Sequence, residues 1–263
     1  MPKIEEKIEN VIRSSIKKFF INKEVNTIHP LDLIFPKERR IRSLIGGLET
    51  SLGTQLWEPL SKFFAENNGF EVLDEKEFNS NVPVIPKNVL HKIAEFESKK
   101  LENASLKHSV FFDEICTFIN QENISIKNYK KIPKGEGVDL FLRKENTIYL
   151  IDIKTVQINA GSGPKFNKNL LNWYTYSALK RTDLKVKCLI SFPYNPHSSI
   201  DFWSKEKGKI SPLIPSKEAV VGDEFWNFLS GLDKTTDLIF KQFKSLGDKN
   251  FGEEFNDIFS KNS

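Results

Sequence analysis

The residues with the clearest chemical potential lie in Thr147–Thr155, which reads TIYLIDIKT. Side chains alternate along a strand, so Leu150, Asp152 and Lys154 share one face and Tyr149, Ile151 and Ile153 the other. A charge in an apolar strand is costly unless it is paired or binds a cation. Upstream, Asp139 stands in a similar apolar setting in Gly137–Leu142, GVDLFL. If the two runs pair antiparallel, Asp139 comes beside Asp152. Two adjacent carboxylates repel unless a cation lies between them, and hard oxygen donors suit Mg²⁺. A nearby lysine can act as a point charge on a phosphate or help to position a water. The plainer alternative is a surface salt bridge at a strand end.

These residues need a hairpin, and the chain supplies one. Both runs are β-rich, and Arg143–Asn146 forms the polar turn between them. Around it, apolar periodicity predicts a helix over 3–20, a connector at His29–Pro36, and helical pattern from Glu38 to Asn67 interrupted at Gly46-Gly47 and Gly53. Asn67-Asn68-Gly69 reads as a C-cap. A short strand at 70–73 follows, then helices near 87–101 and 106–121. After the hairpin come a polar loop at 157–168, a helix near 168–181, a strand at 186–192 and a helical tail from Val221. No repeat or separating linker is visible. The order predicts a single α/β domain over 1–263, with a core at about 40–200 and helical additions at 1–36 and 221–263.

An aspartate, twelve intervening residues and then Asp-x-Lys on a hairpin resemble the PD-(D/E)XK nuclease superfamily. Gly137-Val138-Asp139 lacks the proline of that motif's name. The resemblance implies a mixed central β-sheet flanked by helices, with Asp139, Asp152 and Lys154 as catalytic residues and the two aspartates on metal. It also implies a glutamate on a helix ahead of the core. Glu58 fits that place, as a catalytic and metal-binding residue. Glu49 is the competitor and is expected in a structural or DNA-side role. Nine residues put the two on opposite faces of one straight helix.

Four blocks extend the likeness: RSLIGGLETSLGTQLWEPL from Arg42, IDIKT, FPYNP from Phe192 and GDEFWNFLSG from Gly222. Together they resemble the TdeIII/MjaII-type family of type II restriction endonucleases. That resemblance implies a homodimeric, Mg²⁺-dependent enzyme that cuts double-stranded DNA at a short palindrome of GGNCC type and pairs functionally with a cognate DNA methyltransferase. A nonspecific or structure-specific nuclease of the same fold, and a non-cleaving DNA-binding module, are the alternatives. Candidate DNA contacts are Arg39, Arg40 and Arg42, three of only six arginines in the chain, and the polar run Gln157, Asn159, Lys165, Asn167, Asn169 and Lys168. A solvated helix start and a plain loop are the bland readings of these two groups.

Composition excludes other classes. In 263 residues, 28% are charged and 39% hydrophobic, as in an ordinary globular protein. The net charge of +4 permits nucleic-acid binding without demanding it. No apolar run is long enough for a membrane span, and the acidic N-terminus does not resemble a signal peptide. Cys116 and Cys188 are too few for a disulfide framework and fit a reducing cytoplasm. The four histidines lack zinc-site spacing, and Gly161-Ser162-Gly163 lacks the lysine of a phosphate-binding P-loop.

Overall fold

The computed structural model describes residues 2–21, 23, 29–154, 158–197 and 199–260. It forms two units, Met1–Ser61 with Leu232–Ser263, and Lys62–Gly231. These boundaries differ from the expected edges of the core. The helical run before Ser61, placed in the core on sequence grounds, packs instead on the N-terminal helix.

In the first unit, α1 (Pro2–Phe20) buries Ile8, Ile12 and Phe20. A short 3-10 turn, Pro30–Leu33, follows. Then α2 (Pro36–Leu52) runs unbroken through Gly46-Gly47. Neither glycine interrupts the helix, and Gly47 serves packing: a Cβ there would lie 3.1 Å from the Phe19 ring. The expected break falls at Gly53, where Gly53–Trp57 widens into a π-helical turn before α3 (Glu58–Asn67). The anticipated cap follows, with Gly69 at φ +74° and Phe70 N–H donating to Ala65 O at 2.9 Å.

The second unit holds β1 (Glu71–Val72), α4 (Glu75–Ser80), β2 (Val82–Pro83), α5 (Lys87–Glu102), α6 (His108–Gln121), β3 (Tyr129–Lys130), β4 (Leu140–Lys144) and β5 (Thr147–Ile153). It continues with α7 (Ser162–Leu179), β6 (Lys185–Phe192), α8 (Phe202–Ile210), β7 (Ala219–Val221) and α9 (Asp223–Ser230). Five strands form a mixed sheet in the order β1-β4-β5-β6-β7, while β2 and β3 pair separately. The β1, β4 and β5 contacts are antiparallel; β5, β6 and β7 run parallel.

Alternation along β5 decides what each face meets. Leu150 joins a core with Leu170 and Leu171 of α7 and with Phe96, Phe111 and Ile115 from α5 and α6. On the opposite face Tyr149 meets Phe70 and Phe228, with ring centroids 5.7 and 5.1 Å away. Helices therefore flank a mixed sheet, as expected.

The chain then returns to the first unit with α10 (Thr235–Asp248) and α11 (Asn256–Ser260). Lys249 pairs with Glu9 of α1 at 2.8 Å, and Phe20 and Phe255 pack with centroids 4.6 Å apart. No helix among the described residues is long and apolar enough to cross a membrane.

Candidate active site

The β4–β5 hairpin has the tight polar turn that the sequence predicts. Lys144 pairs with Thr147, and Glu145 takes φ +53° between them. From there the register runs to Leu140 opposite Ile151. One step further, Asp139 N–H donates to Ile151 O at 2.9 Å. The Asp139 carboxylate then accepts the Ile153 N–H at 2.7 Å. Asp139 is thereby held across from Asp152.

Asp152 is 2% exposed. Burial raises its carboxyl pKa from 3.8 to about 8; the Lys154 ammonium opposes this and the Asp139 charge adds to it. Lys154 Nζ lies 2.6 Å from Asp152 Oδ2. Apart from that ion contact, this buried oxygen has no hydrogen-bond partner among the described residues. Asp139, Asp152 and Lys154 line one cavity of about 240 Å³, together with Asn79, Lys131 and Lys134. A buried carboxylate oxygen close to a second carboxylate, both lining one cavity, fits a hard divalent cation. Among the described residues, no three His, Cys, Asp or Glu side chains gather as a metal cluster. Glu58 opens α3 in the first unit and is half-buried, whereas Asp139 and Asp152 belong to the second.

The segment carrying Asp139 is gripped from two helices. From α4, Asn79 Nδ2 donates to Val138 O at 2.8 Å, and Val138 N–H donates back to Asn79 Oδ1 at 3.0 Å. From α7, Trp173 Nε1 donates to Glu136 O at 2.8 Å. Gly137 is required by this grip, because a Cβ there would lie 2.7 Å from Asn79 Oδ1. Sequence reasoning missed Asn79, Lys131 and Lys134. The only trace of the grip was a glycine two residues ahead of the aspartate.

The remaining candidates scatter. Arg39 pairs with Asp32 at 3.1 Å, and Arg40 Nε donates to Ile258 O at 3.1 Å. Arg42 and Glu49 are exposed on α2; all four belong to the first unit. Asn159, Lys165 and Lys168 are exposed in the second, and Gln157 lies outside the described residues. Lys165 approaches the site loop: a Cβ at Gly135 would stand 3.9 Å from its ammonium.

Asn167 is fully buried, its Oδ1 2.9 Å from His108 Nε2, and Asn169 is 2% exposed. Neither faces a surface on which DNA could lie. The reason is that α7 begins at Ser162, six residues ahead of the expected start, so Asn167 falls inside a helix and not on a loop. Gly163 permits this early start by packing directly on the chain after α8. A Cβ there would lie 1.9 Å from Ser211 O.

The family described as Type II restriction endonuclease, HinfI, matches residues 2–247. The chain belongs to that family. Its span of match includes the hairpin, the site loop and all of the five-stranded sheet. The type II restriction enzyme MjaII of Methanocaldococcus jannaschii is 23% identical to this chain over 201 residues. That alignment covers 65% of this chain and 53% of MjaII, so the chain spans about half the length of this curated relative. The likeness read from the separated sequence blocks is thus borne out at the level of the family. No solved structure matches the chain.

Proposed function

We propose that this chain is a type II site-specific deoxyribonuclease with a PD-(D/E)XK core, hydrolysing phosphodiester bonds of double-stranded DNA with Mg²⁺. The observation that carries the reading is that Asp139, Asp152 and Lys154 meet at one cavity in a member of the HinfI family. Asp139 and Asp152 would hold the cation. When bound, Mg²⁺ would supply positive charge to acidify the attacking water and offset charge building on the phosphate. Lys154, already beside Asp152, orients that water and faces the same developing charge. The hairpin register and the Asn79 grip keep these groups in place before substrate arrives.

Further parts of the reading rest on the resemblance. Glu58 adds a carboxylate when the enzyme is assembled on DNA, with Glu49 on the DNA side. The whole of 1–263 works as one endonuclease domain. A homodimer reads a palindrome of GGNCC type and cuts both strands, in the cytoplasm, beside a methyltransferase that protects the same sequence. Arg39, Arg40, Arg42, Lys165 and Lys168 supply cationic contacts to that DNA.

Plasmid digestion tests the reading. Discrete bands in Mg²⁺, absent with EDTA, are expected. A smear would favour a nonspecific nuclease, and intact plasmid would favour a binding module.

A further inference from the structure

The cavity that holds the two aspartates is walled on one side by the loop from Lys131 to Val138. This wall is fixed at several points. Ile132 is buried, and its N–H donates to Asn79 O at 2.8 Å. Glu136 N–H closes a turn on Pro133 O at 3.1 Å, with Gly135 at φ +80°, and Glu136 O accepts from Trp173. Val138 is clamped by the Asn79 side chain. Two lysines, Lys131 and Lys134, are therefore displayed from a pinned loop into the cavity that contains Asp152.

Neither lysine is spent inside the protein. Among the described residues no carboxylate pairs with Lys131 or Lys134, and both line the cavity of Asp139 and Asp152. Both are exposed, and Lys165 approaches the same loop at Gly135. A loop held this firmly, with solvated cations aimed beside a catalytic carboxylate pair, suits an anion that must lie next to the reacting phosphate. In a polynucleotide the neighbouring phosphates of the same strand are such anions.

We infer that Lys131 and Lys134 form a phosphate-binding subsite that grips the DNA strand next to the bond being cut. This rests on the nuclease reading and deepens it. The two lysines act on binding and register of the strand; the chemistry stays with Asp139, Asp152 and Lys154. A contact made equally in ground and transition states affects KM more than kcat.

The test uses the full chain, duplex DNA and Ca²⁺ for binding by fluorescence anisotropy, at several salt concentrations. Lys131→Gln and Lys134→Gln should each reduce the slope of log K against log salt by roughly 0.9, the loss expected for one phosphate contact. The arginine substitutions should keep the slope. Lys92→Gln, on α5 outside the cavity, should leave it unchanged. In Mg²⁺ the single-turnover rate at saturating DNA should stay within about tenfold of the parent, a barrier change under ~1.4 kcal/mol. If the parent cuts DNA but both glutamine variants keep its slope and KM, the subsite is wrong and the nuclease reading stands. A parent that neither binds nor cuts DNA overturns both.

Discussion

The Asp139 carboxylate accepts the backbone N–H of Ile153 at 2.7 Å, and so continues the hairpin ladder with a side chain where the strand pairing ends. This one bond fixes where the first acid lies relative to the second. It leaves Asp139 at the cavity that Asp152 and Lys154 also line.

Asp152→Asn is expected to abolish cleavage without unfolding the protein. The buried charge is a cost to the metal-free fold, so the melting temperature without metal should equal or exceed that of the parent. Mg²⁺ should raise the parent's melting temperature, because a ligand that binds only the native state stabilises it. That increment should vanish in the variant. A variant that melts far below the parent, or keeps the Mg²⁺ increment, would contradict the assignment. Thermal scans with Mg²⁺ and with EDTA decide it.

Asn79 clamps Val138, the residue before Asp139, and Gly137 leaves room for it. Asn79→Ala should cost about 1–3 kcal/mol in stability, since it leaves Val138 N–H and C=O without these partners. It should also lower kcat while DNA affinity holds. Gly137→Ala should slow cleavage by pushing the Asn79 amide away. Combined, the two substitutions should cost less than the sum of their separate effects, because both break one contact. Additive rate losses in the double-mutant cycle would separate the two residues.

The buried network beneath α7 makes the protein acid-sensitive. Burial pushes the Glu218 carboxyl up, but the His108 hydrogen bond and charge and the Lys100 ammonium outweigh it, leaving the pKa lowered from 4.5 to about 2. Lys100 Nζ lies 2.9 Å from Glu218 Oε2 and is fully buried. A depressed carboxylate contributes stability that is present above about pH 4.5 and is lost as pH falls through about 2. Glu218→Gln should flatten that acid limb. It should also destabilise the protein at neutral pH by ~3–5 kcal/mol, because Lys100 is left buried without its counter-charge. Urea melts across pH measure both; an unchanged acid limb would remove Glu218 as its source.

The hairpin that carries the candidate site was legible because it obeys a period of two. Asp139, Asp152 and Lys154 follow from alternation in two β-rich runs and a polar turn between them, and the hairpin register agrees. The mixed sheet flanked by helices was legible for the same reason. Asn79 was not, because it acts on a backbone 59 residues away and nothing local marks it. Asn167 was misread because Gly161-Ser162-Gly163 has loop composition, yet Gly163 serves a close helix approach. Lys131 and Lys134 were hidden by abundance in a lysine-rich chain. Gly46-Gly47 was taken for a break, yet the helix runs through it and Gly47 accommodates Phe19.

Glu58 and Glu49 separate by substitution. Both lie in the first unit, Glu58 half-buried and Glu49 exposed. If Glu58 completes the site on DNA, Glu58→Gln should slow single-turnover cleavage by tenfold or more, about 1.4 kcal/mol of barrier. Glu49→Gln should act chiefly on affinity. The reverse order would exchange their roles.

The central claim is that the two aspartates and Lys154 cut DNA at one sequence. Its most direct measurement is to digest DNA of known sequence in Mg²⁺ and sequence the ends, with Asp152→Ala in parallel. The account predicts ends that all fall at one short palindrome, carry 5′-phosphates and are absent from the Asp152→Ala digest. Ends spread without sequence preference, or an Asp152→Ala variant that cuts as the parent does, would contradict it.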